Sequence, residues 1–269
     1  MKKNIISDMT KEELLNELNQ ITHASVSQEV TAYLFDHLER FRYILKNIPI
    51  SDGTGSILEI GAIANTLPLY LNTLGYQFAA MQNKYKTAWL NKEFIESIID
   101  LSKIRLDYYD VETAAFPYDD NQFDVVVCSE VIEHLSKDPM HMMAEISRVL
   151  KKNGLLILTT PNVTSINSLY RSLDGKHPYM WSSYDGHSTD RHNREYTVDE
   201  IKKLFNAAGI NVMRVETISR KPMPLKLKLI ALWMFFPWAV RGKNHLSLKN
   251  MGEFIFAVGS KNSSFVERF

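Results

Sequence analysis

The spacing of apolar residues changes along the chain and predicts helices first, then alternating strands and helices. Apolar residues recur at helical spacing from Val30 to Leu45, after a shorter helix that begins with a capping pattern at 10–13. From position 51 onward, short apolar runs between turn residues predict strands at 57–60, 76–80, 104–109, 123–128, 155–159, 210–217 and 254–258. Helices are expected at 67–74, at 140–150, and from the Thr197–Glu200 capping box to Gly209.

This alternation predicts an α/β fold with a doubly wound, mostly parallel seven-stranded sheet and helices on both faces. Residues 1–50 are expected to form an N-terminal helical cover on that sheet. Residues 51–269 are expected to form one domain, with an insertion at about 163–196 and an apolar helical segment at about 225–240.

Composition narrows the class of protein without naming a reaction. Apolar residues make up 45% of the chain and charged residues 23%, which are values of a globular protein. The formal net charge of zero argues against a partner such as duplex nucleic acid. The single cysteine, Cys128, excludes an internal disulfide and is predicted to be a small core residue. Lys2 and Lys3 are not followed by the apolar stretch of a signal peptide, so we expect a cytoplasmic location.

Polar residues follow each of the first five predicted strands, at the edge where open parallel sheets bind ligands. These segments are 59–65, 82–83, 110–112, 129–134 and 160–162. A carboxylate there suits ribose hydroxyls or an adenine amino group, and a glycine allows close approach of the backbone to a ligand. Any one of these residues has an alternative role as a helix cap or turn residue. Five such segments in the expected order favour a site.

The central part of the chain resembles a known family. The segments 110–112, 116–118, 123–127 and 129–135, followed by 145–154 and 159–162, resemble the central block of class I S-adenosylmethionine-dependent methyltransferases of the type 11-like group. The resemblance implies a Rossmann-like sheet whose last strand is antiparallel. It also implies methyl transfer from S-adenosylmethionine as the activity.

The same resemblance implies which residues bind the cofactor. Glu59 and the loop with Gly61, Ala62 and Asn65 would hold the methionine part, and Gln82 or Asn83 would bind the ribose. The adenine would be framed by Asp110 and Val111, and the sulfonium would lie over Ser129, Glu130 and Val131.

Two departures from the family pattern leave a second hypothesis open. The first loop keeps only the glycine at Gly61, and an amide replaces the usual acidic ribose ligand, which loses a charge-assisted hydrogen bond. The alternative is therefore a non-catalytic binding or scaffold protein that has lost the cofactor. The segment 191–196 resembles the corresponding segment of a bacterial branch of the family, whose members carry a Gly-Ala-Asn-Pro-like first loop. This resemblance favours a variant site that still works. An NAD enzyme would need three spaced glycines in this loop.

The acceptor side of the site is less well defined. His134, just after the fourth strand, is a candidate base for an acceptor hydroxyl, with a structural role as the alternative. A second polar group is expected to bind the acceptor and consists of Tyr184, His187, Arg191, His192 and Arg194. The alternative is a loop whose arginines pair with Asp185, Asp190 and Glu195. No carboxylate with metal-ligand spacing accompanies His187 and His192, so no metal site is predicted.

The segment 229–240 is apolar, aromatic and flanked by lysines and an arginine, and it is too short to span a bilayer. Packing on the domain and peripheral contact with the inner face of the membrane both stay open. Resemblance to the bacterial branch points to a small-molecule, sugar or lipid-linked surface-polysaccharide precursor as the acceptor.

Overall fold

The seven strands form one sheet in the order β3-β2-β1-β4-β5-β7-β6. This computed structural model describes residues 12–13, 28–61, 76, 78–82, 105–179, 191–219, 229 and 250–262. The strands are β1 (Ser56–Ile60), β2 (Phe78–Gln82), β3 (Arg105–Asp107), β4 (Phe123–Ser129), β5 (Leu150–Pro161), β6 (Ile210–Ile218) and β7 (Phe254–Lys261). The described helices of more than one turn are α1 (Gln28–Asn47), α2 (Met140–Val149), α3 (Ile166–Leu173) and α4 (Val198–Ala207).

The strand directions confirm the predicted α/β architecture. Strands β1 to β5 pair in parallel, and β7 runs antiparallel to both β5 and β6. The chain moves outward from β1 to β3 and then returns to β4 on the other side of β1. This reversal places the topological switch point between β1 and β4, where open α/β sheets bind their ligands.

Several predicted strand boundaries differ from the observed ones. Tyr76 was predicted to begin β2 but lies outside the strand, and this buried residue donates its hydroxyl 3.0 Å to the Pro49 carbonyl. Strand β3 has only three residues. Strand β5 begins earlier than predicted, at Leu150, because its pairing with β4 continues across a register shift beside Phe123.

Helix α3 was not predicted and lies within the expected insertion. The Ser165 side chain caps its first turn by accepting from the Ser168 amide at 3.1 Å. The Thr197–Glu200 capping box is present as predicted and begins α4. A parallel bridge between Asn162 and Tyr196 brings the two ends of the insertion together beside the carboxyl end of β5.

The core lies on both faces of the central strands. All residues of β1 are buried, and β4 is buried along most of its length. Cys128 has no exposed surface and contributes to this core, as its sequence context predicts. Burial raises the pKa of its thiol, so it is kept neutral.

Some predictions fall outside the described residues. They concern the capping pattern at 10–13 (of which Glu12 and Glu13 are described, as helical), the helix at 67–74, the segment 225–240 apart from the helical Leu229, and five site residues: Ala62, Asn65, Asn83, Tyr184 and His187. Within the part of the chain that is described, no helix is long and apolar enough to cross a membrane.

Candidate active site

The carboxyl ends of three adjacent strands bring predicted cofactor residues to one edge of the sheet. Ile60, the last residue of β1, is in register with Gln82 on one side and with Cys128 on the other. Gly61 and Ser129 therefore stand at the same level of the sheet as the end of β2. The predicted order of the site loops follows directly from this register.

Gly61 allows the loops after β1 and β4 to touch. Its φ angle is +74°, in the left-handed region that glycine adopts without strain. A Cβ atom on Gly61 would lie 2.1 Å from Cγ2 of Val131, so a side chain there would collide with the β4 loop. The one glycine retained in this loop is thus required by backbone conformation and by packing.

The β4 loop is held in a fixed shape around Glu130, whose φ angle is +54°. The Glu130 amide donates 3.0 Å to the carbonyl of Thr159, and the Thr159 hydroxyl donates 2.9 Å to Glu130 Oε1. The Ser129 hydroxyl lies 2.9 Å from the same Thr159 hydroxyl. Glu130 Oε2 pairs with Arg40 of α1 at 3.1 Å. Every carboxylate oxygen of Glu130 is therefore engaged by the protein.

Glu59 is a buried carboxyl on β1, only 5% exposed. Burial raises its pKa to about 8, and the positive charge of Arg40 lowers that pKa in part. Among the described residues, Glu59 Oε2 has no hydrogen-bond partner. A buried acceptor without a donor is costly in free energy, so this oxygen suits a ligand that brings a donor, such as an amino group.

Asp110 and Glu112 shape the turn that follows β3. Asp110 Oδ1 accepts from the Glu112 amide at 2.9 Å, and Asp110 Oδ2 accepts from the Thr113 hydroxyl at 3.1 Å. Glu112 in turn accepts from the Lys137 amide at 2.7 Å, beyond the β4 loop. Val111 between them is buried. The β3 and β4 loops are thereby joined on the side where the adenine was predicted to lie.

His134 lies in a buried polar cluster that the sequence only partly indicated. It ends a single 3-10 turn (Ile132–His134), and its Nδ1 lies 3.2 Å from the Arg191 carbonyl. The His134 and His192 rings meet edge to face at 5.0 Å. Nδ1 of His192 lies 2.8 Å from Glu195 Oε1. His134, the candidate base, and His192, a residue expected to bind the acceptor, are thus brought together, although 57 residues lie between them in the chain.

Glu133 completes this cluster beneath the two imidazoles. Its side chain is fully buried, Oε2 accepts 2.9 Å from the Thr160 hydroxyl, and Oε1 lies 4.0 Å from His134 Nε2. Burial and the negative charge of Glu130 raise the pKa of the Glu133 carboxyl well above its ordinary value. The cluster therefore contains a carboxyl group that the protein alone does not stabilise as an anion.

The two predicted arginines lie around this cluster in different ways. Arg191 contributes its carbonyl to His134, while its guanidinium donates 2.9 Å to the Asn193 side chain. Arg194 pairs with Glu200 at the start of α4, and its guanidinium lies 5.3 Å from the centre of the Tyr196 ring. Glu200 is a partner that the alternative reading of this loop did not include, and Asp185 and Asp190 lie outside the described residues.

Three site residues were not singled out from the sequence for the roles they have. Arg40 lies on α1 and reaches the β4 loop, Glu133 lies under the imidazoles, and Glu195 orients His192. No local pattern marks Arg40, because it lies off the apolar face that the helical spacing defines. An acidic residue three positions after His192 was the available signal for Glu195.

Comparison with known proteins gives the same class as the fold. Residues 58–158 match the family described as methyltransferase domain. The ubiquinone biosynthesis O-methyltransferase of Pelagibacter ubique is 24% identical over 178 residues, which are 62% of this chain and 71% of that protein. A protein of Mycobacterium tuberculosis named as a probable S-adenosylmethionine-dependent methyltransferase is 31% identical over 105 residues, 39% of this chain. The match spans only 33% of that mycobacterial protein.

A solved structure supports the fold independently. The S-adenosylmethionine-dependent methyltransferase of Archaeoglobus fulgidus superposes with a TM-score of 0.55 at 14% identity, covering 86% of this chain and 99% of that chain. The fold is the Rossmann-like α/β fold of methyltransferases. With the family match, residues 58–158 form a methyltransferase domain of the class I S-adenosylmethionine-dependent type.

Proposed function

We propose that this methyltransferase O-methylates a small-molecule or lipid-linked acceptor, with sugars and surface-polysaccharide precursors as the first candidates. The observation that carries the proposal is the cluster of Glu133, His134 and His192, in which His192 lies against the residues that follow β4. It follows the segment expected to lie under the sulfonium. A hydroxyl acceptor must lose its proton, and this cluster supplies proton-accepting groups at that place.

The cofactor assignment is supported by the fit of the described residues. Glu59 Oε2 offers an acceptor that has no donor among those residues, and Asp110 and Glu130 close the same edge of the sheet from two sides. Positioning of sulfonium and acceptor would account for much of the rate, since in-line transfer depends on near-attack geometry. S-adenosylmethionine supplies the methyl group as an electrophile when bound.

The reaction balances without a further reactant. The bond between the sulfonium sulfur and the methyl carbon breaks, and a bond from the acceptor oxygen to that carbon forms. The electron pair stays on sulfur, giving S-adenosylhomocysteine, and the hydroxyl proton leaves toward the polar cluster. Similarity to a ubiquinone biosynthesis O-methyltransferase is consistent with a hydroxyl acceptor.

Labelled cofactor would test both parts of the proposal. The full chain is titrated calorimetrically with S-adenosylmethionine and then incubated with methyl-labelled cofactor and separate extracts of glycolipids, small polar metabolites, protein and nucleic acid. We expect binding and alkali-stable label in the glycolipid or small-molecule extract, because a methyl ether resists mild alkali whereas a methyl ester does not.

His192→Gln is expected to lose transfer of the labelled methyl group. His177→Gln is the control and is expected to keep it, because His177 lies in an exposed segment after α3. Absence of binding at millimolar cofactor would contradict the enzyme assignment. Label confined to protein or nucleic acid would contradict the acceptor class.

A further inference from the structure

Glu133, His134 and His192 form a compact set of metal-ligating groups. One donor atom from each lies within 4.8 Å of the others. Asn193 holds the set together. Its amide donates 2.8 Å to the Glu133 carbonyl, and its side chain donates 2.8 Å to the His134 carbonyl. A segment distant in sequence is thereby fastened directly beneath the β4 loop.

Both imidazoles are oriented by groups that can only accept a hydrogen bond. The Arg191 carbonyl lies 3.2 Å from His134 Nδ1, and the Glu195 carboxylate lies 2.8 Å from His192 Nδ1. Each Nδ1 must therefore carry a proton, which makes Nε2 the acceptor nitrogen of each neutral ring. Carboxylate and carbonyl partners of this kind are what orient histidine ligands in metal sites.

A buried carboxylate oxygen points into the same space. Glu133 has no exposed surface, and its Oε1 has no hydrogen-bond partner among the described residues, although Oε2 is bonded to Thr160. Oε1 lies 4.0 Å from His134 Nε2. Two ligands about 2.1 Å from a tetrahedral ion lie about 3.4 Å apart, so an approach of roughly 0.6 Å would bring this pair to bonding geometry.

Charge balance also favours a cation. Glu133 and Glu195 are both buried, whereas Glu130 is already paired with Arg40. Two carboxylates and two neutral imidazoles around a divalent ion give a neutral site, which avoids the cost of burying net charge. Two imidazole nitrogens with one carboxylate oxygen suit a first-row transition ion better than Mg²⁺ or Ca²⁺, which prefer oxygen ligands.

We infer that Glu133, His134 and His192 bind one divalent transition-metal ion, with Glu195 orienting His192 as a ligand. Three protein ligands leave at least one coordination position open. If the proposed function holds, an acceptor hydroxyl oxygen occupies that position and its pKa falls, so that its proton passes to solvent water instead of to His134. His134 then acts as a ligand, and this role in the reaction rests on the proposed function.

Metal binding can be measured without any methyl transfer. The full chain is freed of metal with a chelator and titrated with Zn²⁺ by calorimetry and with Co²⁺ by visible absorption. We expect one ion per chain, and X-ray absorption of the Zn²⁺ form is expected to count two imidazole ligands. No binding of Co²⁺ or Zn²⁺ at millimolar metal, or a bound ion with no imidazole ligand, would overturn the site. The imidazole count needs no variant and stands even where a substituted chain does not fold.

Variants then assign the ligands. His134→Gln, His192→Gln and Glu133→Gln are expected to weaken Zn²⁺ binding by about 100-fold or more, and Glu195→Gln by about tenfold. The control is His141→Gln, because His141 bonds the Ala114 carbonyl away from the cluster. Unchanged affinity in both histidine variants, or equal loss in the control, would overturn the assignment. A chain that binds Zn²⁺ through two imidazoles and transfers no methyl group would keep the site and refute the proposed function instead.

Discussion

Arg40 Nη1 lies 3.1 Å from Glu130 Oε2, and this buried ion pair joins α1 to the loop after β4. The Arg40 side chain is only 3% exposed, and its positive charge also acts on Glu59. One guanidinium thus compensates carboxyl groups at the ends of both central strands. The N-terminal helix, expected only as a cover, is therefore part of the electrostatic structure of the site.

Replacement of Arg40 by methionine is expected to destabilise the protein strongly. Arg40→Met keeps much of the side-chain volume and leaves Glu130, which is only 13% exposed, without its charged partner. Breaking a buried pair in this way costs about 3–5 kcal/mol. Urea unfolding followed by circular dichroism measures the free energy of unfolding. Arg42→Met is the matched control on the same helix, because Arg42 makes a more exposed pair with Glu39. A loss below about 1 kcal/mol in Arg40→Met would show that the pair contributes little.

Glu59 is expected to make stability fall as the pH rises. Its folded-state pKa of about 8 lies above the ordinary value of 4.5, so folding favours the protonated carboxyl. The contribution of Glu59 is therefore full below the ordinary pKa and is lost as the pH rises through about 8. Glu59→Gln is expected to match the wild type at about pH 5 and to exceed it by a few kcal/mol at about pH 9.

The measurement is the free energy of unfolding at both pH values. Glu39→Gln, on the outer part of α1, serves as the control and is expected to follow the wild-type profile. An equal difference between Glu59→Gln and wild type at the two pH values would refute the raised pKa.

The fold was predictable because its signals are local. Strand β4 and its neighbours are short apolar runs between turn residues, and the Thr197–Glu200 capping box fixed the start of α4. Boundaries failed where long-range contacts decide them. Tyrosine is common in strands, yet Tyr76 lies outside β2 and donates its hydroxyl to the carbonyl of the distant Pro49.

The site was predictable only in outline. The sequence predicted parallel strands with polar segments at their carboxyl ends, so the loops after β1, β3 and β4 were expected to converge at one edge of the sheet. The pairing of His134 with His192 could not be anticipated, because it depends on how Asn193 docks against the 3-10 turn. The grouping of Glu133 with the two histidines was missed for the same reason, since Glu133 lies far from His192 in the sequence.

Part of the family-like sequence has a structural role. Arg148 donates 3.0 Å to the Phe116 carbonyl and 2.8 Å to the Tyr118 carbonyl, while Glu145 accepts from the Phe116 amide at 2.6 Å. These contacts brace α2 against the segment before β4. Resemblance at these positions therefore reports the fold more directly than it reports the chemistry.

Asp110→Ala is expected to weaken cofactor binding more than it lowers stability. The carboxylate accepts from the Glu112 amide and the Thr113 hydroxyl, so its loss should cost about 1 kcal/mol of folding free energy. Thr113→Val removes the hydroxyl bond and keeps the carboxylate, which makes it the matched control. Calorimetry with S-adenosylmethionine and thermal melts of both variants separate the two effects. Unchanged affinity in Asp110→Ala would show that the adenine assignment is wrong.

Gly61→Ala is expected to strain the contact between the two central loops. The left-handed backbone at +74° costs about 1–2 kcal/mol for alanine, and the new Cβ would collide with Val131 Cγ2 at 2.1 Å. Overpacking of this kind adds about 1–3 kcal/mol. The backbone part of this cost is independent of Val131, whereas the steric part is not.

A double-mutant cycle separates these two parts of the cost. In a Val131→Ala background the added alanine at position 61 has no Cγ2 to meet, so Gly61→Ala should cost only its backbone part there. The coupling free energy is then expected to be about 1–3 kcal/mol in favour of the double variant, measured by urea unfolding of all four proteins. Additive effects within about 0.5 kcal/mol would mean that the loops after β1 and β4 do not meet at Gly61 and Val131. Because both loops are expected to flank the sulfonium, the same four proteins titrated with S-adenosylmethionine would show whether that contact also sets cofactor affinity.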